Sequence, residues 1–126
     1  MILGIGIDIV HVSRMVHWQA YPRLLERYFH PQELVDVAKR GKSAPLSLAA
    51  RFAAKEAFGK ALGTGLHGLI LKEIRVINNH NGNPDMELYG RAKAALEAFG
   101  GGKIHLSMTH ERDNAVAMIV IEGDPG

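Results

Sequence analysis

Residues 2–10 alternate between large apolar side chains and small or acidic ones. Ile5, Ile7 and Ile9 fall on one face of an extended chain, with Gly4, Gly6, Asp8 and Val10 on the other. The pattern predicts a buried strand. Gly4 and Gly6 carry no side chain, so the face holding Asp8 has room for a ligand or a second backbone. The period then changes. Ser13 predicts the cap of a helix carrying Arg14 and Trp18. Pro22 and Pro31 suit first helical turns ahead of residues 23–28 and 32–40, and Gly41 suits the stop. A loop over residues 41–45 contains Lys42. Residues 47–62 predict a long helix rich in alanine, which lets neighbouring elements approach closely. Gly63, Gly65 and Gly68 mark an irregular turn after it.

Further on, residues 70–78 and 85–89 predict two strands of a hairpin, joined by the turn Asn81-Gly82-Asn83-Pro84. Residues 90–99 predict a short helix ended by Gly100, Gly101 and Gly102. Residues 104–110 alternate, with Ile104, Leu106 and Met108 on one face and His110 at the end. Residues 115–121 form a continuous apolar run, as expected of a strand covered on both sides. Residues 111–114 join these two as a hairpin, and the chain frays from Gly123 onward. The sum is one α+β domain over residues 1–126, with about five strands and four or five helices.

Composition narrows the function. Hydrophobic content of 47% with 22% charge describes a globular chain that can bury a core. No apolar run is long enough to span a bilayer. The start, Met1-Ile2-Leu3-Gly4, lacks the basic region and cleavage site of a secretory signal, so a cytoplasmic location is expected. The absence of cysteine excludes disulfides and thiolate metal sites. A net charge of +2 and an aromatic content of 6% are too small to argue for nucleic acid.

The chemistry concentrates in residues 51–65. Glu56 and Lys60 stand one helical turn apart, the spacing of a surface ion pair worth about 0.3–0.5 kcal/mol. The helical wheel instead sets both beside Phe52, Ala49 and Ala53, a small apolar surface. Asp8, an acid in an apolar strand, needs a partner. It is either a cap or arginine partner, or a ligand sharing a hard cation with Glu56. Lys55, on another face, reads as a solvent residue or an anion contact. Arg51 and Lys42 are residue types that bind phosphate. The glycines form neither a Walker pattern nor a dinucleotide fingerprint. The histidines lack zinc spacing, and no nucleophile elbow is present. Arg14, Arg23 and Arg27 make either a solvated face or a dock for an acidic partner.

Three segments taken in order are specific. Gly4-Ile5-Gly6-Ile7-Asp8-Ile9-Val10, the run from Arg51 through Glu56 and Lys60 to Gly65, and Leu106-Ser107-Met108-Thr109-His110 together resemble the 4′-phosphopantetheinyl transferases. The likeness is closest to the small holo-(acyl-carrier-protein) synthase group and covers nearly the whole chain. It implies a mostly antiparallel sheet packed on a long central helix. It also implies transfer of phosphopantetheine from coenzyme A to a serine of apo acyl carrier protein, in support of fatty acid biosynthesis. By the same resemblance, Asp8 and Glu56 are Mg2+ ligands, and Glu56 and Lys60 serve catalysis. Lys42, Arg51, Lys60, Gly63, Ser107, Thr109 and His110 line the coenzyme site. Arg14 and Arg23 meet the carrier protein. The family further implies a homotrimer with sites shared between neighbours.

Overall fold

The chain enters on strand β1 (Ile2–His11), and helix α1 (Val12–Trp18) follows directly. Two short helices, α2 (Pro22–Tyr28) and α3 (Pro31–Ala38), begin on the prolines that fix their first turns. After a 3-10 turn at Gly41–Ser43 comes the long helix α4 (Ala44–Leu62). A β-hairpin, β2 (Ile74–Asn78) and β3 (Pro84–Leu88), leads to α5 (Gly90–Ala98). The chain ends on β4 (Gly101–His110) and β5 (Asn114–Gly123). This is a computed structural model, and it describes residues 1–78 and 83–124.

The strands make two antiparallel sheets, β1-β5-β4 and β2-β3. The α+β architecture, a mostly antiparallel sheet on a long central helix, is the one the sequence implied. On the inner face of the larger sheet, Asp8 stands opposite Ala117, which stands opposite Met108. That face packs on α4, whose alanines 49, 53, 54, 57 and 61 are buried. Gly4 and Gly6 explain the closeness of the approach. A Cβ at Gly6 would lie 1.9 Å from the carbonyl oxygen of Ala57, and one at Gly4 would lie 2.0 Å from that of Ala61. The space beside Asp8 is therefore taken by the backbone of α4. Gly63 ends the helix in the left-handed region, φ 83°, and its N–H donates to the Lys60 carbonyl.

Several boundaries differ from the sequence expectation. Helix α4 starts three residues early, with Pro45 in its first turn. Residues 71–73 form a 3-10 turn rather than the first half of a strand. Ser13 caps nothing: α1 begins beside β1, and the Val12 N–H donates to the Asp113 carbonyl at 2.9 Å. Gly101 and Gly102 open β4, and Gly123 closes β5. In the expected turn, residues 81 and 82 lie outside the described residues, but the pairing of Asn78 with Pro84 confirms the hairpin. Strand β5 is buried on one face only. Ala115, Ala117, Ile119 and Ile121 face α4, while Met118 on the other face is 42% exposed.

Candidate active site

Strand β1 delivers Asp8 to the edge of α4, where Glu56 and Lys60 project from consecutive turns. Lys60 does not pair with Glu56. Its ammonium donates to Asp8 Oδ1 at 2.9 Å and to the Ile7 carbonyl at 3.1 Å, tying helix to strand. That hydrogen bond, with the Asp8 charge behind it, raises the Lys60 pKa above its usual value. Glu56 is half-buried. Desolvation first, then the nearby Asp8 charge, raise its pKa; Arg14 and Lys60 act in the opposite direction. Arg14 lies 4.9 Å over the Trp18 ring and 5.0 Å over Phe52, so α1 closes this end of the cluster with a held cation.

Two carboxylates crowded together, one of them resisting ionisation, are a donor set that a hard cation relieves. Among the described residues no group of three His, Cys, Asp or Glu side chains could hold a metal. Asp8 and Glu56 would thus supply two oxygens, with water and substrate completing the shell, as suits Mg2+.

A second feature opens at the other flank of α4. A cavity of about 370 Å³ is lined by Arg40, Ser43, Ser47, Arg51 and His110, with Leu46, Pro84 and Met108 among its apolar walls. Arg51 is fixed there. One terminal nitrogen donates to the Val76 carbonyl at 2.6 Å, Nε donates to Ser47 Oγ at 3.2 Å, and Glu33 lies 3.8 Å away. Burial lowers the Arg51 pKa, against the charge of Glu33.

The remaining expected site residues are scattered. Lys42 is exposed and does not line the cavity. Ser107 and Thr109 lie on the outer face of β4, away from α4, while His110 shares the inner face with Met108. Gly63 lies at the far end of α4. Arg23 lines a separate cavity of about 480 Å³ with His17, Trp18, Tyr21, Leu24 and Arg27. Arg51 and Glu56 are five residues apart, which places them about 140° around the helix from each other. Asp8 and Met108 lie on the two edge strands, about 10 Å apart by strand spacing. Within one chain, the carboxylate cluster and the basic cavity face opposite ways.

Lys55 is the clear correction. It is not a solvent residue but fully buried, and the anion it meets is the chain's own Glu33 carboxylate. Its ammonium donates to Glu33 Oε1 at 2.5 Å and to the carbonyls of Tyr28, Leu71 and Ile74. Burial still brings the Lys55 pKa down to about 8, with Glu33 opposing. Glu33 also accepts from the His30 and Val76 N–H groups. Glu33, Arg40 and Ser47 escaped the sequence reading. The one available signal was an acid in the first turn after Pro31, which read as an ordinary helix start.

The fold is that of a group-transfer enzyme class. The model of the 4′-phosphopantetheinyl transferase superfamily matches residues 4–118, and the chain belongs to that superfamily. Within it, the holo-(acyl-carrier-protein) synthase of Treponema denticola is 56% identical over 98% of this chain and 100% of its own. That of Treponema pallidum strain Nichols is 54% identical over 99% of each. Among solved structures, the Neisseria meningitidis synthase superposes with a TM-score of 0.88 at 36% identity, covering 97% of this chain and 99% of its own. The Helicobacter pylori synthase in complex with coenzyme A gives 0.80 at 30% identity, covering 94% and 99%.

Proposed function

We propose that this chain is a holo-(acyl-carrier-protein) synthase. It moves 4′-phosphopantetheine from coenzyme A to a serine of apo acyl carrier protein and releases adenosine 3′,5′-bisphosphate. The observation that carries this reading is the Asp8–Glu56–Lys60 cluster, standing in a chain that matches the superfamily over residues 4–118.

The serine oxygen attacks the phosphorus that bears the pantetheine arm. The bond from that phosphorus to the bridging oxygen breaks, and the serine proton passes to Glu56 or to water beside it. Lys60 sits where it can steady charge growing on the departing bisphosphate. Asp8 and Glu56 would hold Mg2+, which when bound neutralises diphosphate charge. Arg51 and His110 would hold phosphate in the basic cavity. Arg14 and Arg23 would meet an acidic helix of the carrier protein, and the cavity between Trp18 and Leu24 would take its apolar side chains.

The chain works as a homotrimer in this reading. Ile5, Ile7 and Ile9 are 58–60% exposed in one row beside Met118, more apolar surface than a free sheet face needs. The opposed cluster and cavity fit the same arrangement, in which one copy's cavity meets its neighbour's carboxylates. The cytoplasm is the expected compartment, and fatty acid biosynthesis the expected use.

The test is intact-protein mass spectrometry of apo acyl carrier protein mixed with this protein, coenzyme A and Mg2+. A gain of about 340 Da, lost on chelation, is the expected result. No gain from a folded protein, with several carrier proteins tried, would overturn the reading.

A further inference from the structure

Strand β2 pairs with β3 along one edge, and side chains of α3 and α4 meet its other edge. Buried N–H and C=O groups on an open edge need partners. Here three charged side chains supply them in place of a third strand. The Ile74 carbonyl accepts from the Lys55 ammonium at 2.7 Å. The Val76 N–H donates to Glu33 Oε2 at 3.2 Å, and the Val76 carbonyl accepts from a terminal nitrogen of Arg51 at 2.6 Å. The N–H and C=O of one residue point to the same edge of a strand. Glu33 and Arg51 therefore meet at Val76, with their charged atoms 3.8 Å apart.

Arg51 lines the basic cavity and Glu33 does not. The Glu33 carboxylate is fully buried, and its Oε1 is held by the His30 N–H and by Lys55. Opposite charge reaches Arg51 from Glu33 first and from Asp36 behind it, while Arg40, Arg75 and Lys55 repel it. Nε of Arg51 donates to Ser47 Oγ, and its second terminal nitrogen has no partner among the described residues. One side of the guanidinium is thus tied to β2 and α4, and donors are left over for the cavity. Without the carboxylate, a buried guanidinium among like charges turns off the strand, and its fork no longer fits a phosphate.

We propose that Glu33 is a positioning residue: by clasping Val76 and facing the guanidinium with a fixed charge, it holds Arg51 in the orientation that meets phosphate in the cavity. The inference rests on the coenzyme reading given above, which gives Glu33 no task.

Calorimetric titration with adenosine 3′,5′-bisphosphate reads the affinity without turnover, on protein shown to be folded by circular dichroism. Glu33→Gln keeps the size and loses the charge. It is expected to bind about tenfold more weakly, and in transfer to raise KM for coenzyme A by the same factor with kcat nearly unchanged. Lys55→Met lowers stability but keeps Glu33, and is expected to bind within about twofold of the native protein. The loss caused by Glu33→Gln is expected to vanish in an Arg51→Lys background, because Glu33 acts through Arg51. Where Glu33→Gln alone does not fold, Glu33→Gln with Lys55→Met, measured against Lys55→Met, carries the same expectation. Native affinity in Glu33→Gln, an equal loss in Lys55→Met, or a loss that persists beside Arg51→Lys overturns the assignment. A native protein that binds no bisphosphate overturns the coenzyme reading, and this inference with it.

Discussion

Removing the ammonium of Lys55 tests the account of the core most directly. In the Lys55→Met variant, Glu33 keeps its backbone donors from His30 and Val76 but loses its closest charge partner. The carbonyls of Tyr28, Leu71 and Ile74 lose a donor at the same time. Breaking a buried ion pair on one side costs about 3–5 kcal/mol. A domain of this size has only about 5–15 kcal/mol in hand. The variant should therefore melt about 10–20 °C lower. Urea unfolding at pH 7, followed by far-ultraviolet circular dichroism, reads the loss. The double variant Lys55→Met with Glu33→Leu should lose less than the sum of the two singles, because the pair's coupling is counted once, although buried Arg51 then lacks its carboxylate and the His30 and Val76 N–H groups their acceptor. A loss below about 1 kcal/mol in Lys55→Met, or a double variant that loses the sum of the two singles, would refute the reasoning.

Other outcomes are as definite. Asp8→Ala should fold and bind coenzyme A but lower the transfer rate a hundredfold or more, read by the mass of the carrier protein; full activity would remove Asp8 from the chemistry. Arg23→Glu should weaken carrier-protein binding about tenfold and leave coenzyme binding intact, as titrations with each show. Arg14 serves that test less well, because its charge also reaches Glu56. Ile7→Lys together with Ile9→Lys should turn a trimer into a monomer by light scattering. A native protein that is already monomeric would contradict the trimer. Gly6→Ala should lower the melting temperature sharply or prevent folding, because its new methyl group meets the Ala57 carbonyl.

Where the sequence was legible, the signal was local. The alternation of β1, the prolines of α2 and α3, and the alanines of α4 each read correctly because strand, turn and helix periods act over a few residues. Lys55 misled because its partners are far along the chain: Glu33 is 22 residues away, and the Ile74 carbonyl lies beyond the next loop. Lys60 misled in a smaller way, since a helical neighbour at the right spacing lost to an aspartate 52 residues earlier. Strand β5 read as doubly covered because Val116, Met118 and Val120 are apolar. In the chain itself that face is only partly covered, and Met118 is 42% exposed. Arg40 and Ser47 carry no motif. Only the fold brings them to His110, across α4 and β4.

The contact of Gly4 and Gly6 with α4 also fixes the spacing between the backbones that carry Asp8 and Glu56. Main chain meets main chain there, so no rotamer can change and no methylene can be trimmed to retune the gap. The spacing of the two main chains that carry the acids behaves as a constant of the molecule, like a length cut into a gauge block. Exchanges elsewhere in the core shift such a spacing little. Any adjustment between the two acids is left to their own side-chain torsions.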